Sequence, residues 1–120
     1  MTRTAKYSDI RCEMKPGDLI AFGGSGFVSS VIKKVTKCNV SHVGSILQSN
    51  LPTVEGVMIN QVIESTSVDG GFSGVKITRM SEHMRDYDGE VWWLPMTEFA
   101  RNLFDEGLFL LWMLKQVGKP

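Results

Sequence analysis

The run Val40-Ser41-His42-Val43-Gly44-Ser45-Ile46-Leu47 reads as a buried strand that carries a histidine. Such a strand rarely holds a titratable group without a partner or a task. A second apolar run, Gln61-Val62-Ile63-Glu64-Ser65-Thr66, carries a lone carboxylate. The remaining apolar runs in the middle of the chain are equally short. Leu19 to Phe22 follows the turn Lys15-Pro16-Gly17-Asp18, Gly74 to Thr78 follows Asp69-Gly70-Gly71, and Glu90 to Pro95 follows Asp88-Gly89. Short runs punctuated this way predict short strands through the middle of the chain.

Helical spacing appears on both sides of these strands. Phe27, Val28, Val31, Ile32 and Val35 recur at helical intervals, with Lys33, Lys34 and Lys37 on the solvated side and Ser25 as a cap. Ser81 to Tyr87 predicts a short helix capped by Ser81. Thr97 opens a final helix on which Phe99, Leu103, Leu110, Leu114 and Val117 share a face, unless Gly107 divides it. Residues 1–14 read as an irregular arm, Asn50-Leu51-Pro52 as a loop, and Val54 to Met58 as a short strand or part of that loop. The fold class is therefore α+β, in a single domain spanning residues 1–120.

Composition mainly excludes. A chain of 120 residues supports one core, and its thirteen basic and thirteen acidic side chains cancel. No global field points to nucleic acid or to an anionic membrane. The polar N-terminus lacks the apolar core of a signal peptide, and the longest apolar stretch, Leu108 to Leu114, falls far short of the ~18 residues a membrane span needs. Cys12 and Cys38 make neither a disulfide framework nor a zinc knuckle. They suit a reducing compartment, the cytoplasm or a particle assembled inside a cell. No metal or cofactor motif is present: there is no HExxH and no CxxC, and Gly23-Gly24-Ser25-Gly26 matches no phosphate loop.

Strand alternation places Cys38, Val40, His42 and Gly44 on one face, and Val62 with Glu64 on another. If those strands are neighbours, Glu64 accepts a hydrogen bond from one imidazole nitrogen and leaves the other as a base. The plain alternatives are a core histidine bonded to a backbone carbonyl and a glutamate facing solvent. Gly44 leaves space beside His42 for either a ligand or tight packing. A nucleophile is harder to find. Cys38 would lie ~13 Å from His42 at ~3.3 Å per residue along a strand, and Cys12 precedes the first turn. Ser25, Ser29 and Ser30 read as caps or surface residues, and His83 falls in a charged stretch with no evident role.

Taken in order, Pro16-Gly17-Asp18-Leu19-Ile20, Ser41-His42-Val43-Gly44 and Val62-Ile63-Glu64-Ser65-Thr66 resemble the NlpC/P60 superfamily of papain-like cysteine hydrolases. The order resembles the circularly permuted branch (YiiX-like and lecithin:retinol acyltransferase-like proteins), in which the nucleophilic cysteine comes last. The resemblance covers roughly residues 15 to 95. It implies a papain-like small antiparallel sheet or partial barrel flanked by helices, His42 as general base and Glu64 as the residue orienting it, with no cofactor. It also implies amide or ester substrates, either peptidoglycan-type peptides or lipids.

No cysteine follows Glu64, so the resemblance implies a domain incomplete at its C-terminus. That domain would be inactive alone and would have a companion C-terminal fragment, or would form a homodimer through apolar surface left exposed on its last helix. The alternative is a non-catalytic papain-like module for binding or assembly. Trp92, Trp93, Phe109 and Trp112 read first as core side chains and, on that alternative, as interface anchors.

Overall fold

The register of four antiparallel pairings decides what meets what. In the computed structural model, which describes residues 3–24, 31, 34–67, 71 and 73–120, five strands form one antiparallel sheet in the order β4-β3-β2-β1-β5. They are β1 (Leu19–Gly24), β2 (His42–Pro52), β3 (Met58–Ser67), β4 (Ser73–Arg79) and β5 (Gly89–Leu94). The α+β class is thus observed. Ile20 stands opposite Gly44 and Phe22 opposite His42; Gly44 stands opposite Glu64 and Ile46 opposite Val62; Val62 stands opposite Thr78. Because facing residues share a side of the sheet, these side chains line one face. Ile20, Phe22, Ile46 and Val62 are fully buried there and join Met14 and Met80 in the core.

Residues 3–14 do more than trail. Tyr7–Ile10 forms one turn of helix (α1), followed by a 3₁₀ turn at Arg11–Glu13. Tyr7 and Ile10 pack on the core, and Met14 is buried. Asn60 explains the attachment. It is buried on β3, its amide donates to the Tyr7 hydroxyl and the Arg11 carbonyl, and its Oδ1 accepts from the Asn50 amide. A polar sequence hid this docking because the bonds run to a residue some fifty positions away.

The expected loop at Asn50-Leu51-Pro52 is strand instead. Asn50 adopts a positive φ of 51°, a conformation asparagine tolerates. The irregular register around it lets β2 continue until Pro52 faces Met58. The turn lies at residues 53–57, closed by the Thr53 hydroxyl donating to the Val57 carbonyl and by Gly56 at φ 82°. Val54 therefore belongs to the turn.

Helix boundaries moved for local reasons. Met80–Asp86 (α2) begins one residue before Ser81, with Arg79 at the N-cap and no side-chain cap. Thr97 caps Glu98–Leu103 (α3) as expected, accepting from the Ala100 amide. The final helix divides at Phe104-Asp105 rather than at Gly107, because the Asp105 carboxylate accepts from the Leu108 amide and starts Glu106–Leu114 (α4). With the helix broken there, the stripe from Phe99 to Val117 does not form, and Phe99 and Leu103 are exposed.

Residues 34–36 are helical and Lys34 and Lys37 are exposed, as expected; the Ser25 cap, Ser29 and Ser30, most of the Phe27–Val35 stripe and the Asp69-Gly70 turn lie outside the described residues. Gly23 and Gly24 continue β1 instead of breaking it.

The Gly17-Asp18-Leu19 turn is pinned by a buried carboxylate. Asp18 accepts from the Lys15 amide, the Trp93 indole, the Met96 amide and the Arg101 guanidinium. Arg101 also donates to the Pro16 carbonyl. Gly17 takes φ 88°, and a Cβ on it would lie 2.7 Å from the Phe104 ring, so only glycine suits the turn. Strand β5 and helix α3 are thereby locked to the start of β1. The edge strand β4 is covered by backbone bonds between Val75 and Gly118-Lys119. Among the described residues no helix is long and apolar enough to cross a membrane.

Replacing Asp18 by Ala strands buried donors and an unpaired Arg101. It should cost about 3–5 kcal/mol in urea unfolding, with m unchanged. Gly44→Ala should cost about 1–3 kcal/mol, because a Cβ there would lie 2.8 Å from Val62 Cγ1 and 3.2 Å from the Ile63 carbonyl.

Candidate active site

Strand pairing brings His42 and Glu64 together. Glu64 faces Gly44, and His42 lies two residues earlier on β2, so it is the diagonal neighbour on the same face. Gly44 has no side chain to intervene, and a Cβ there would meet Val62 and the Ile63 carbonyl, so the glycine serves tight packing. His42 Nε2 lies 2.7 Å from Glu64 Oε2. The glutamate side chain is 2% exposed and that of His42 is 29% exposed. The solvent-facing alternative for Glu64 and the carbonyl-bonded alternative for His42 are both replaced by this contact.

Two further residues complete the cluster. Thr78 Oγ1 on β4 donates to Glu64 Oε1 at 2.7 Å, and His83 Nε2 on α2 reaches the same oxygen at 2.7 Å. The carboxylate is thus shared among β2, β4 and α2. Phe22 on β1 backs the cluster, its ring centroid 5.3 Å from that of His42 and 4.8 Å from that of His83. Sequence reasoning passed over both added partners. Thr78 faces Val62, the next residue but one before Glu64, and its role depends on a register that sequence does not display. His83 had a visible signal: Met80, His83 and Tyr87 recur at helical spacing, and Met80 and Tyr87 pack on the core.

Burial alone pushes the Glu64 carboxyl up. The hydrogen bonds from His42, His83 and Thr78, with the charge of His83, outweigh it and hold the group well below the usual carboxylate range. Glu64 is therefore an anion at neutral pH. A neutral His42 that donates its Nε2–H to this anion keeps its lone pair on Nδ1, and Nδ1 makes no hydrogen bond among the described residues. The arrangement fixes one imidazole nitrogen against a buried carboxylate and leaves the other free of protein partners among the described residues.

Neither cysteine completes it among the described contacts. Cys12 and Cys38 are exposed. Cys38 precedes β2 rather than sharing its face with His42, and its Sγ accepts from the Val40 amide. Ser41, beside His42, has its hydroxyl turned to the Phe22 carbonyl of the adjacent strand. No group of acids, histidines and cysteines suited to a metal ion occurs among the described residues.

The other face of the sheet carries a cavity of about 460 Å³ whose lining includes Leu19, Val43, Ile63, Val75, Trp112 and Met113, with Gly44 and Glu64 also bordering it. Of the aromatic residues expected in the core, Trp93 packs there while Trp112 is 61% exposed beside this cavity.

In comparisons with known proteins, no family model and no curated protein matches the chain.

The depressed Glu64 carboxyl fixes the sign of an acid effect. A carboxyl whose folded value lies below its unfolded one, ~4.3, stabilises the fold fully above that pH and progressively less as pH falls below it. Glu64→Gln should cost about 2–4 kcal/mol near neutral pH. In urea titrations, its deficit relative to the unmodified chain should shrink as pH drops below about 4.

Proposed function

We propose that this domain organises papain-like acyl transfer on amide or ester bonds, with His42 as the base and Glu64 as the residue that orients it. The single observation that carries the reading is the 2.7 Å contact between His42 Nε2 and a carboxylate that is 2% exposed. Such a contact leaves Nδ1 as the working nitrogen, on a ring that solvent can reach. The resemblance of the Gly17-Asp18-Leu19 turn, the His42 strand and the Glu64 strand to the permuted NlpC/P60 branch supports the same assignment.

The steps follow from this geometry. A thiol placed at Nδ1 gives up its proton to His42, forming a thiolate beside an imidazolium that the Glu64 anion stabilises. The sulfur attacks the substrate carbonyl. His42 returns its proton to the departing amine or alcohol, leaving a thioester on sulfur. Water, deprotonated at Nδ1, then attacks the thioester; the acid leaves, and the proton passes back to the sulfur. Peptidoglycan-type peptides and lipid esters are the substrate classes the resemblance implies. The thiol would come from a companion segment or a second copy, in a cytoplasmic or particle-associated setting.

A second reading rests on the cysteines. Neither Cys12 nor Cys38 contacts His42 among the described residues, which favours a papain-like scaffold kept for binding or assembly. Exposed Leu108, Leu111 and Trp112 on α4 would then supply the contact surface.

Labelling with a thiol-reactive electrophile at neutral pH separates the two. The hydrolase reading expects one cysteine of the native protein to react rapidly, and His42→Ala to slow it about 100-fold, in line with the ~10²–10⁴ that a positioned base supplies. Slow labelling of Cys12 and Cys38, indifferent to His42, favours the module.

A further inference from the structure

Glu64 presents two oxygens, and the fold treats them differently. Oε2 meets His42 alone, whereas Oε1 is held by Thr78 and His83, each at 2.7 Å. A carboxylate on a two-carbon stem turns about its last bond unless its other oxygen is occupied. Occupation of Oε1 therefore decides that Oε2 stays aimed at His42. The second link is apolar: Phe22 packs near both imidazoles, and Tyr87, the residue after α2, packs on Phe22 with centroids 5.1 Å apart. Met80 anchors the start of that helix at 1% exposure.

We propose that His83 is a positioning residue for His42, acting through the shared Glu64 carboxylate and the Phe22 ring, and that α2 is thereby part of the site. This rests on the reading of His42 as the base, but its physical content concerns the His42 ring alone. His83 donates Nε2–H to Oε1 and leaves Oε2 to accept the His42 Nε2–H. Loss of that donor leaves Oε1 held by Thr78 alone, which loosens the carboxylate, admits water beside it and lengthens the hydrogen bond that orients His42. Loss of packing alone does not, because Thr78 and a replacement donor still hold Oε1.

The test reads the imidazole protons of the ¹⁵N-labelled chain by nuclear magnetic resonance, with no substrate or thiol. In the unmodified chain, both histidines are expected as Nε2–H forms, with the His42 proton shifted downfield by its short bond to the carboxylate. His83→Leu, which retains an apolar body beside Phe22 but donates nothing, should lose the His42 resonance to exchange or move it upfield. His83→Gln, whose amide can donate to Oε1, should restore it. A His42 resonance unchanged in a folded His83→Leu protein overturns the proposal, as does failure of His83→Gln to restore it. If His83→Leu does not fold, the unmodified spectrum still decides, because a His83 in the Nδ1–H form contradicts the assignment. His42-independent cysteine labelling would sink the hydrolase reading and leave this result standing.

Discussion

A single buried carboxylate organises this molecule. Glu64 lies within β3, between its pairings with β2 and β4, at 2% side-chain exposure. An anion there is tolerable only if its lone pairs are occupied. The fold occupies them with His42 from one neighbouring strand, Thr78 from the other and His83 from the helix that follows. The demand of one charge for partners thus ties β2, β4 and α2 to a common point. The same demand orients the His42 ring, so stability and chemistry draw on one interaction.

Asp18 plays the matching part at the other end of β1. Its carboxylate gathers a turn amide, an indole, a loop amide and a guanidinium, and so joins β5 and α3 to the strand that carries Phe22. Phe22 in turn backs both imidazoles. The position of the His42 ring therefore depends on contacts far along the chain, through a core that is close-packed and transmits displacement. The Gly17-Asp18-Leu19 turn, first noted for its resemblance to a family pattern, has a physical task of its own.

The two faces of the sheet divide the protein's properties. One buries the core and holds the polar cluster at its margin. The other carries Leu19, Val43, Ile63 and Val75 toward a cavity flanked by α4. Exposed Leu108, Leu111 and Trp112 continue that apolar character outward. The trough borders the cluster from behind, since Gly44 and Glu64 contribute to its lining.

Local signals in the sequence were enough to specify the strands, because alternation and turn residues act over a few positions. Leu19 to Phe22, Gly74 to Thr78 and Glu90 to Leu94 could be read directly, as could the Thr97 cap. The pairing of His42 with Glu64 was legible as a conditional, since alternation put each on a definite face. Only the tertiary structure decided the rest. Asn50 and Pro52 entered a strand because register irregularities absorbed them, the N-terminal arm docked because Asn60 held it, and the last helix broke because Asp105 captured the Leu108 amide. His83 joined the site for the deepest reason: a helix face states which residues point inward, but not which buried charge they will meet. Sequence by itself determined the types and faces of the titratable side chains, and the folded sheet alone determined their company, because hydrogen-bond partners are set by register and packing between distant segments.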